Sequence, residues 1–472
     1  MWVRRIDFME PAEAAARLRG LGGLAFLDSA MRHAELGRYS YVAADPFAAF
    51  VVDAEGARIS FDPASGEGAA FDRLPGPPLD ALRAIMARFP LQKAEGLPPF
   101  QGGAIGAIGY DFAHHLETLA APADLDPAEP TLRFNLYDTL IAFDLVERSA
   151  VILSSGHPED DPLARQKRAA DRIAMTEAAL ARRPDPFAKV WRGADGIVWS
   201  SNFTRQTYAA AIDRVRDYIL AGDIYQANLA QRFTCRLPQD FDGFGFYGRL
   251  RAANPAPFGA YLEFPGLTVA SSSPERFLKL AGSAVETRPI KGTAPRSPDA
   301  ASDRDLADAL LASEKDRAEN VMIVDLLRND LARVTTPDSV EVPMLCGLES
   351  YASVHHLVSV VTGTLREGAD GYDLVAASFP GGSITGAPKI RAMDIITELE
   401  GTARGLYCGS IGYLGFDGTL DLNIAIRTVT ITGGRATLQA GGGVTILSDP
   451  FAEYEETLAK ATRVFAAFEE EA

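Results

Sequence analysis

The chain has 472 residues, 47% hydrophobic and 23% charged, and Lys+Arg 46 against Asp+Glu 63 leaves a net charge of −17. This is the balance of a globular chain with ample core, and its acidity excludes nucleic acid as a natural partner. Three widely spaced cysteines (Cys235, Cys346, Cys408), no apolar run of the ~18 residues that cross a membrane, and no secretion signal point to a cytoplasmic protein without disulfides or a zinc knuckle.

Residues 1–155 read as strands and short helices. FAAFVVDAEGARISFD is two alternating stretches around a turn, and LRFNLYDTLIAFDL and RSAVILSSG are further strands. Residues 156–195, a charged and Ala-rich helix with little to bury, read as a bridge. Residues 196–472 carry most of the motifs. Asn202 or Thr204 can cap a helix over TRQTYAAAIDRVRDYILAG that Gly222 stops. Strands and helices follow without strict β-α-β alternation, so the expected class is α+β on large antiparallel sheets.

Two helices carry acidic residues three apart. In SEKDRAENVMIVDLLRNDL, Ser313 caps, Asp316 and Glu319 share one side, and Val321, Val324 and Leu327 are expected in the core. In DPFAEYEETLAKATRVFAAFEE, Asp449 caps and Pro450 opens the helix. Phe451, Tyr454, Leu458, Ala461, Phe465 and Phe468 form an expected apolar stripe, apart from Glu453, Glu456, Lys460 and Arg463. Each acidic pair reads either as a solvated face, with Glu456–Lys460 an ion pair, or as one half of a shared Mg²⁺ site.

TRPIKGTAPR holds Lys291 on an apparent rigid turn, as a solvated charge or as a desolvated nucleophile. GGSITGAPKIRAMDII is a glycine loop opening a helix, AGGGVTILSDP reads as another, and GGAIGAIGYD reads as packing glycines. Of the six histidines (His33, His114, His115, His157, His355, His356), none has metal-ligand spacing. His355 and His356 alternate on a strand-like run.

Taken in order, GDIYQANLAQRF, NPAPFGAYL, SSSPERFL, TRPIKGT, SEKDRAENVMIVDLLRNDL, HHLVS, GGSITGAPK, YCGSIGY, NIAIRT, GGGV and EYEETLAKA resemble the chorismate-utilising enzymes. That family includes the anthranilate and aminodeoxychorismate synthase large subunits and the isochorismate and salicylate synthases. The resemblance implies an α+β fold, with antiparallel sheets forming a sandwich flanked by helices. FLDSA, GRYSYVAADP and GYD extend it to the N-terminal region, where relatives hold tryptophan. Asp28 replaces the glutamate of the anthranilate type, so a degenerate tryptophan pocket without feedback inhibition is expected.

Within the family, Pro-Ile-Lys-Gly-Thr resembles the aminodeoxychorismate synthases, whereas anthranilate types carry alanine at this lysine. The resemblance implies that Lys291 attacks C2 of chorismate as the C4 hydroxyl leaves, with Glu275 as acid, before ammonia displaces the lysine. It also implies Mg²⁺ on Glu319 and Glu456, with Asp316 and Glu453 supporting and the ring carboxylate helped by Gly442, Gly443 and Lys460. Tyr407 and Arg427 would grip the enolpyruvyl carboxylate, Thr385 and Gly386 would line the ring, and His356 would lie near C4. Gln226 stands where water-using relatives carry a base lysine, which agrees with ammonia as the entering group. No glutaminase cysteine site is visible, so a separate glutamine amidotransferase subunit is implied. No lyase region follows the last helix, so the product should keep its pyruvyl group, on the way to para-aminobenzoate and folate. The alternatives are an anthranilate synthase large subunit and a chorismate-binding regulator without turnover.

Overall fold

The structure is a computed structural model and describes residues 1–31, 36–53, 55–63, 70–124, 130–182, 191, 193–194, 196–351 and 354–469. His33 and most of 183–195 lie outside the described residues. In chain order, the elements that position the site are β1 (Ala25–Asp28), β2 (Gly103–Ile108), α1 (Pro162–Ala181), α2 (Arg205–Leu220), β3 (Gln226–Arg236), β4 (Phe258–Phe264), β5 (Ile290–Pro295), α3 (Glu314–Ala332), β6 (Val354–Thr364), α4 (Lys389–Glu400), β7 (Ser410–Gly415), β8 (Arg435–Val444) and α5 (Pro450–Ala466).

Among the described residues, two twelve-stranded sheets with antiparallel ladders hold the strands. Tyr41, Leu262 and Val269 of one sheet meet Ile105, Tyr137 and Tyr413 of the other in a shared apolar layer. Further clusters lie under helices on each outer face. This is the α+β sandwich with flanking helices that was expected. The expected strand pair near residue 50 is present as Ala48–Asp53 against Gly56–Ser60. Gly103 and Gly106 are packing glycines as expected, since a Cβ would fall 2.2 Å from Leu414 O and 2.0 Å from Arg133 O. Both sheets draw strands from either side of α1. In the first, β1 pairs with β4; in the second, β2 pairs with β7.

Several local expectations need correction. α1 buries a face, including Ala169, Ile173, Ala179 and Leu180, because alanines spaced along a charged helix still make a narrow apolar stripe. On α3 the core is met by Ile323, Val324 and Leu327, while Val321 is 40% exposed. On α5 the buried residues are Glu453, Thr457, Ala461 and Val464. Phe451, placed in the apolar stripe by sequence, is exposed and lies under the Arg205 guanidinium at 4.6 Å. That rotation turns Glu453 inward. Among the described residues no helix is long and apolar enough to cross a membrane.

Candidate active site

The position of Lys291 comes from strand register. Ile290 pairs with Val358 of β6 and Thr293 with His356, so Lys291 and Gly292 share one residue of the partner strand. This is a β-bulge, which re-aims a side chain that a regular pleat would place elsewhere. The expected turn is therefore a bulged strand. Gly292 has φ +89, and a Cβ there would lie 3.0 Å from Cβ of Asp316, so glycine answers both constraints. The Lys291 amine is pushed down in pKa by burial and by Lys460, against Glu319, Glu275 and Glu456.

Glu275, which immediately precedes the strand Arg276–Ala281, is 5% exposed. Burial raises its pKa to about 7, although the Ser383 hydroxyl donates to Oε1 at 2.6 Å and Lys291 lies near. A buried acid and a half-buried lysine thus act on each other, each shifted toward its neutral form. Sequence reasoning missed Ser383, although it sits within GGSITG.

The two acidic helices do converge. Lys291 and Lys315 both act on Glu319 and on Glu456. Burial raises the pKa of Glu319. For Glu456, Lys460 at 2.7 Å, together with Lys315 and Lys291, overcomes burial and lowers it. Glu453 is buried with Lys315 at 3.7 Å. Asp316 accepts the Ser313 hydroxyl at 2.5 Å, so part of its capacity goes to the cap. Among the described residues no three candidate ligands are gathered closely enough to cage a metal by themselves.

The GGGV segment is strand, not loop. Gly441, Gly442 and Gly443 lie in β8, paired with Ala230, Leu229 and Asn228 of β3. A run of glycines reads locally as a turn, but here the missing side chains make room. A Cβ on Gly442 would come within 3.3–3.4 Å of the Glu453, Glu456 and Lys460 head groups. One on Gly443 would lie 2.0 Å from Gln226 Nε2 and 3.3 Å from Lys291 Nζ. Lys460 also donates to Gly441 O at 2.8 Å.

His356 lies 2.8 Å from the Thr293 hydroxyl; burial and Arg427 lower its pKa to about 4, so it is neutral near pH 7. His355 turns the other way, to Ser350 at 2.7 Å and Asp303 at 3.1 Å, and is structurally satisfied. Arg427 holds φ +51, an uncommon conformation for a residue with a side chain. Its guanidinium is pushed down in pKa by burial and Arg463 and raised by Glu275. Thr385 is fully buried and its hydroxyl donates to Gly381 O at 3.1 Å, while Gly386 pairs with Ala227. Tyr407 walls a cavity of about 320 Å³ with Arg404, Thr428 and Gln439. Sequence reasoning also missed Arg404, which joins this region to the rest. It pairs with Glu400 at 2.6 Å, donates to Ile384 O and Asn228 O, and lies 5.5 Å from the Tyr407 ring. Near the N-terminus, a cavity of about 110 Å³ is lined by Asp28, Ser29, Tyr39, Tyr41, Arg276 and Lys279. Asp28 is already held by Arg251 at 2.7 Å and Tyr247 at 2.9 Å.

An amine shifted down, a carboxyl shifted up, paired carboxylates and an arginine thus act on one another around Lys291 and Glu275. The profile of the chorismate binding enzymes matches residues 46–466. The chain belongs to that family. Aminodeoxychorismate synthase component 1 of Salmonella typhimurium is 44% identical over 366 residues, 78% of this chain and 76% of its own length. Anthranilate synthase component 1 of Streptomyces coelicolor is 39% identical over 480 residues, 98% of this chain and 87% of its own. Anthranilate synthase component I from Streptococcus pneumoniae superposes with a TM-score of 0.78 at 31% identity, covering 92% of this chain and 94% of that one. Overall likeness therefore points to both activities, and the choice between them falls to the site.

Proposed function

We propose that this chain is the large subunit of an aminodeoxychorismate synthase, which replaces the C4 hydroxyl of chorismate with an amine and leaves the pyruvyl group in place. The observation that carries this reading is Lys291, re-aimed by its bulge and kept toward the neutral amine beside Glu275. Nζ attacks C2, both conjugated double bonds of the ring shift toward C4, and the C4–O bond breaks as Glu275 gives its proton to the departing hydroxyl, which leaves as water. Ammonia then attacks C4, and the ammonium at C2 leaves as the neutral lysine. The new C4 ammonium returns a proton to Glu275. Splitting one displacement into two lowers each barrier.

Glu319 and Glu456 fit Mg²⁺, which takes one or two protein carboxylates and completes its shell with water and substrate oxygens. When bound, the ion would neutralise and orient the ring carboxylate. Lys315 near both carboxylates and Lys460 paired with Glu456 balance their charge otherwise. Arg427 offers its guanidinium to the other carboxylate as a paired donor. The component 1 name of the relatives supports a second subunit, and we assign it the supply of ammonia from glutamine.

The test supplies the purified chain with chorismate and an ammonium salt, with and without Mg²⁺, and reads products by mass spectrometry. The expected result is a Mg²⁺-dependent aminated ring still bearing pyruvyl, lost in Lys291→Ala. Anthranilate with free pyruvate would instead establish the activity named for the Streptomyces coelicolor relative.

A further inference from the structure

Among the described residues, Ser383 is the one side chain that donates a hydrogen bond to the Glu275 carboxyl, reaching Oε1 at 2.6 Å. Both residues are buried, Ser383 7% and Glu275 5% exposed. Ser383 stands in the short turn Gly382–Ile384, which packs between two walls. A Cβ on Gly381 would lie 2.7 Å from Cδ1 of Ile424 and 3.4 Å from the Phe277 ring, and one on Gly382 would lie 2.5 Å from Cδ2 of Leu326 on α3. The two glycines let the turn sink to the depth of the carboxyl, where a side chain in either place would hold it off.

Both partners of this hydrogen bond are clamped by other groups. On the turn, the Thr385 hydroxyl donates to Gly381 O at 3.1 Å, and Ile384 O accepts Asn228 Nδ2 and Arg404 Nη1, each at 3.1 Å. Thr385 O accepts the Asn228 N–H at 2.7 Å. On the acid, the Ile424 N–H donates to Glu275 O at 3.0 Å. The Ser273 hydroxyl donates to Ile424 O at 2.5 Å and accepts the Glu275 N–H at 3.3 Å. None of these contacts uses the Ser383 side chain or the Glu275 carboxyl, so the effect of their hydrogen bond falls on the carboxyl itself. In a carboxylic acid the carbonyl oxygen is the better acceptor and the other oxygen carries the proton. With Oε1 taken as the acceptor, the proton belongs on Oε2.

We propose that Ser383 is a positioning residue for proton transfer to the C4 hydroxyl: by occupying Oε1 it keeps the transferable proton on Oε2 and stops the carboxyl from turning. Ser383 gives up no proton of its own. After the transfer, the carboxylate charge spreads onto Oε1, where the same hydroxyl stabilises it. The role rests on Glu275 acting as the acid in the reaction proposed above and adds what orients that acid. Lys291, the Ile290 backbone and Arg427 also favour the ionised carboxyl, and the Cys408 thiol nearby is pushed up to about 12 by burial and stays neutral. All four are the same in every variant of the test.

The test follows kcat and the KM for chorismate in the full chain from about pH 5 to about pH 9, with neutral ammonia and Mg²⁺ held constant. Ser383→Ala removes a donor that favours the carboxylate, so the alkaline limb of kcat should move up by about one pH unit, the scale of one hydrogen bond to a charged group. On the plateau, kcat should fall about tenfold, because the proton is shared between two oxygens and the carboxyl turns, while the KM for chorismate stays unchanged. Ser383→Thr returns the hydroxyl and should restore the limb and most of kcat. Ser383→Cys, a weaker donor, should fall between them, and it keeps the test open if Ser383→Ala does not fold. A limb that stays in place without the hydroxyl, whatever kcat does, would leave Ser383 a structural residue at most. A raised KM with kcat and limb intact would make it a substrate ligand, and either result overturns the proposal. Products are identified separately by mass spectrometry, so a shifted limb with anthranilate accumulating would keep the role of Ser383 and reject the proposed function. A wild type without an alkaline limb near pH 7 would remove Glu275 as the acid, and the positioning role with it.

Discussion

Glu275 is placed where it is least comfortable when ionised. Its ordinary carboxyl pKa of 4.5 rises to about 7 in the fold, so between those values the unfolded chain gives up a proton that the native chain keeps. Stability from this site is therefore complete below about pH 4.5 and is lost as pH rises toward 7, where the native group is forced to ionise. Glu275→Gln keeps the acceptor for Ser383 and removes that cost. The variant should be inactive yet more stable than the wild type at pH 8, by up to about 3 kcal/mol from the size of the shift, with the gap closing by pH 5. Urea titrations at the two pH values measure it, and equal stability at pH 8 would mean that the carboxylate is comfortably solvated. The same group sets the alkaline side of turnover. With ammonia held constant, kcat should fall above about pH 7 as Glu275 loses its proton. His356, neutral down to about pH 4, adds no limb near neutrality.

At the scale of elements, what the sequence made legible is what is encoded locally. The caps at Thr204, Ser313 and Asp449 are all present, because a cap is a contact between a side chain and the next turn. The bulge at Lys291 was not legible, since it exists only relative to β6, and the motif TRPIKGT looks the same in a turn. The glycines of β8 were misread for a similar reason: composition suggests a loop, while the partner strand makes them pleat. The inward rotation of Glu453 escaped because the aromatic residues of α5 outweighed it in the pattern, although Glu453 is the buried one. These glycines carry a graded prediction. At Gly441 a Cβ would meet Leu229 O at 2.3 Å, which is backbone and cannot yield. Gly441→Ala should therefore lower the melting temperature markedly or prevent folding. At Gly443 the collision is with the end of the Gln226 side chain, which can swing aside. Gly443→Ala should fold with near wild-type stability and lose most of its turnover. Thermal melts beside rate measurements separate the two, and a similar loss of stability in both would refute the distinction.

At the scale of the whole molecule, the division of the sequence into an N-terminal region, a bridge and a catalytic region meets a fold in which each sheet crosses those lines. The β1 ladder to β4 and the β2 ladder to β7 tie residues before 155 to residues after 196 in both layers of the sandwich. Removing the first 155 residues would strip Phe26, Tyr41, Ile105 and Tyr137 from the clusters that back the sheets. It would also bare hydrogen-bonding edges on β4 and β7, which is a route to aggregation. β7 leads through the next hairpin strand, Leu420–Asn423, to the Arg276–Ala281 strand that begins just after Glu275. The loss would thus propagate into the site. The expectation is that residues 196–472 expressed alone are insoluble or lack a cooperative transition, while the full chain unfolds in one transition that activity loss follows. A soluble 196–472 fragment that melts cooperatively and still turns over chorismate would show that the ladders to the N-terminal strands are dispensable. In that case the site would be held by its own half of each sheet.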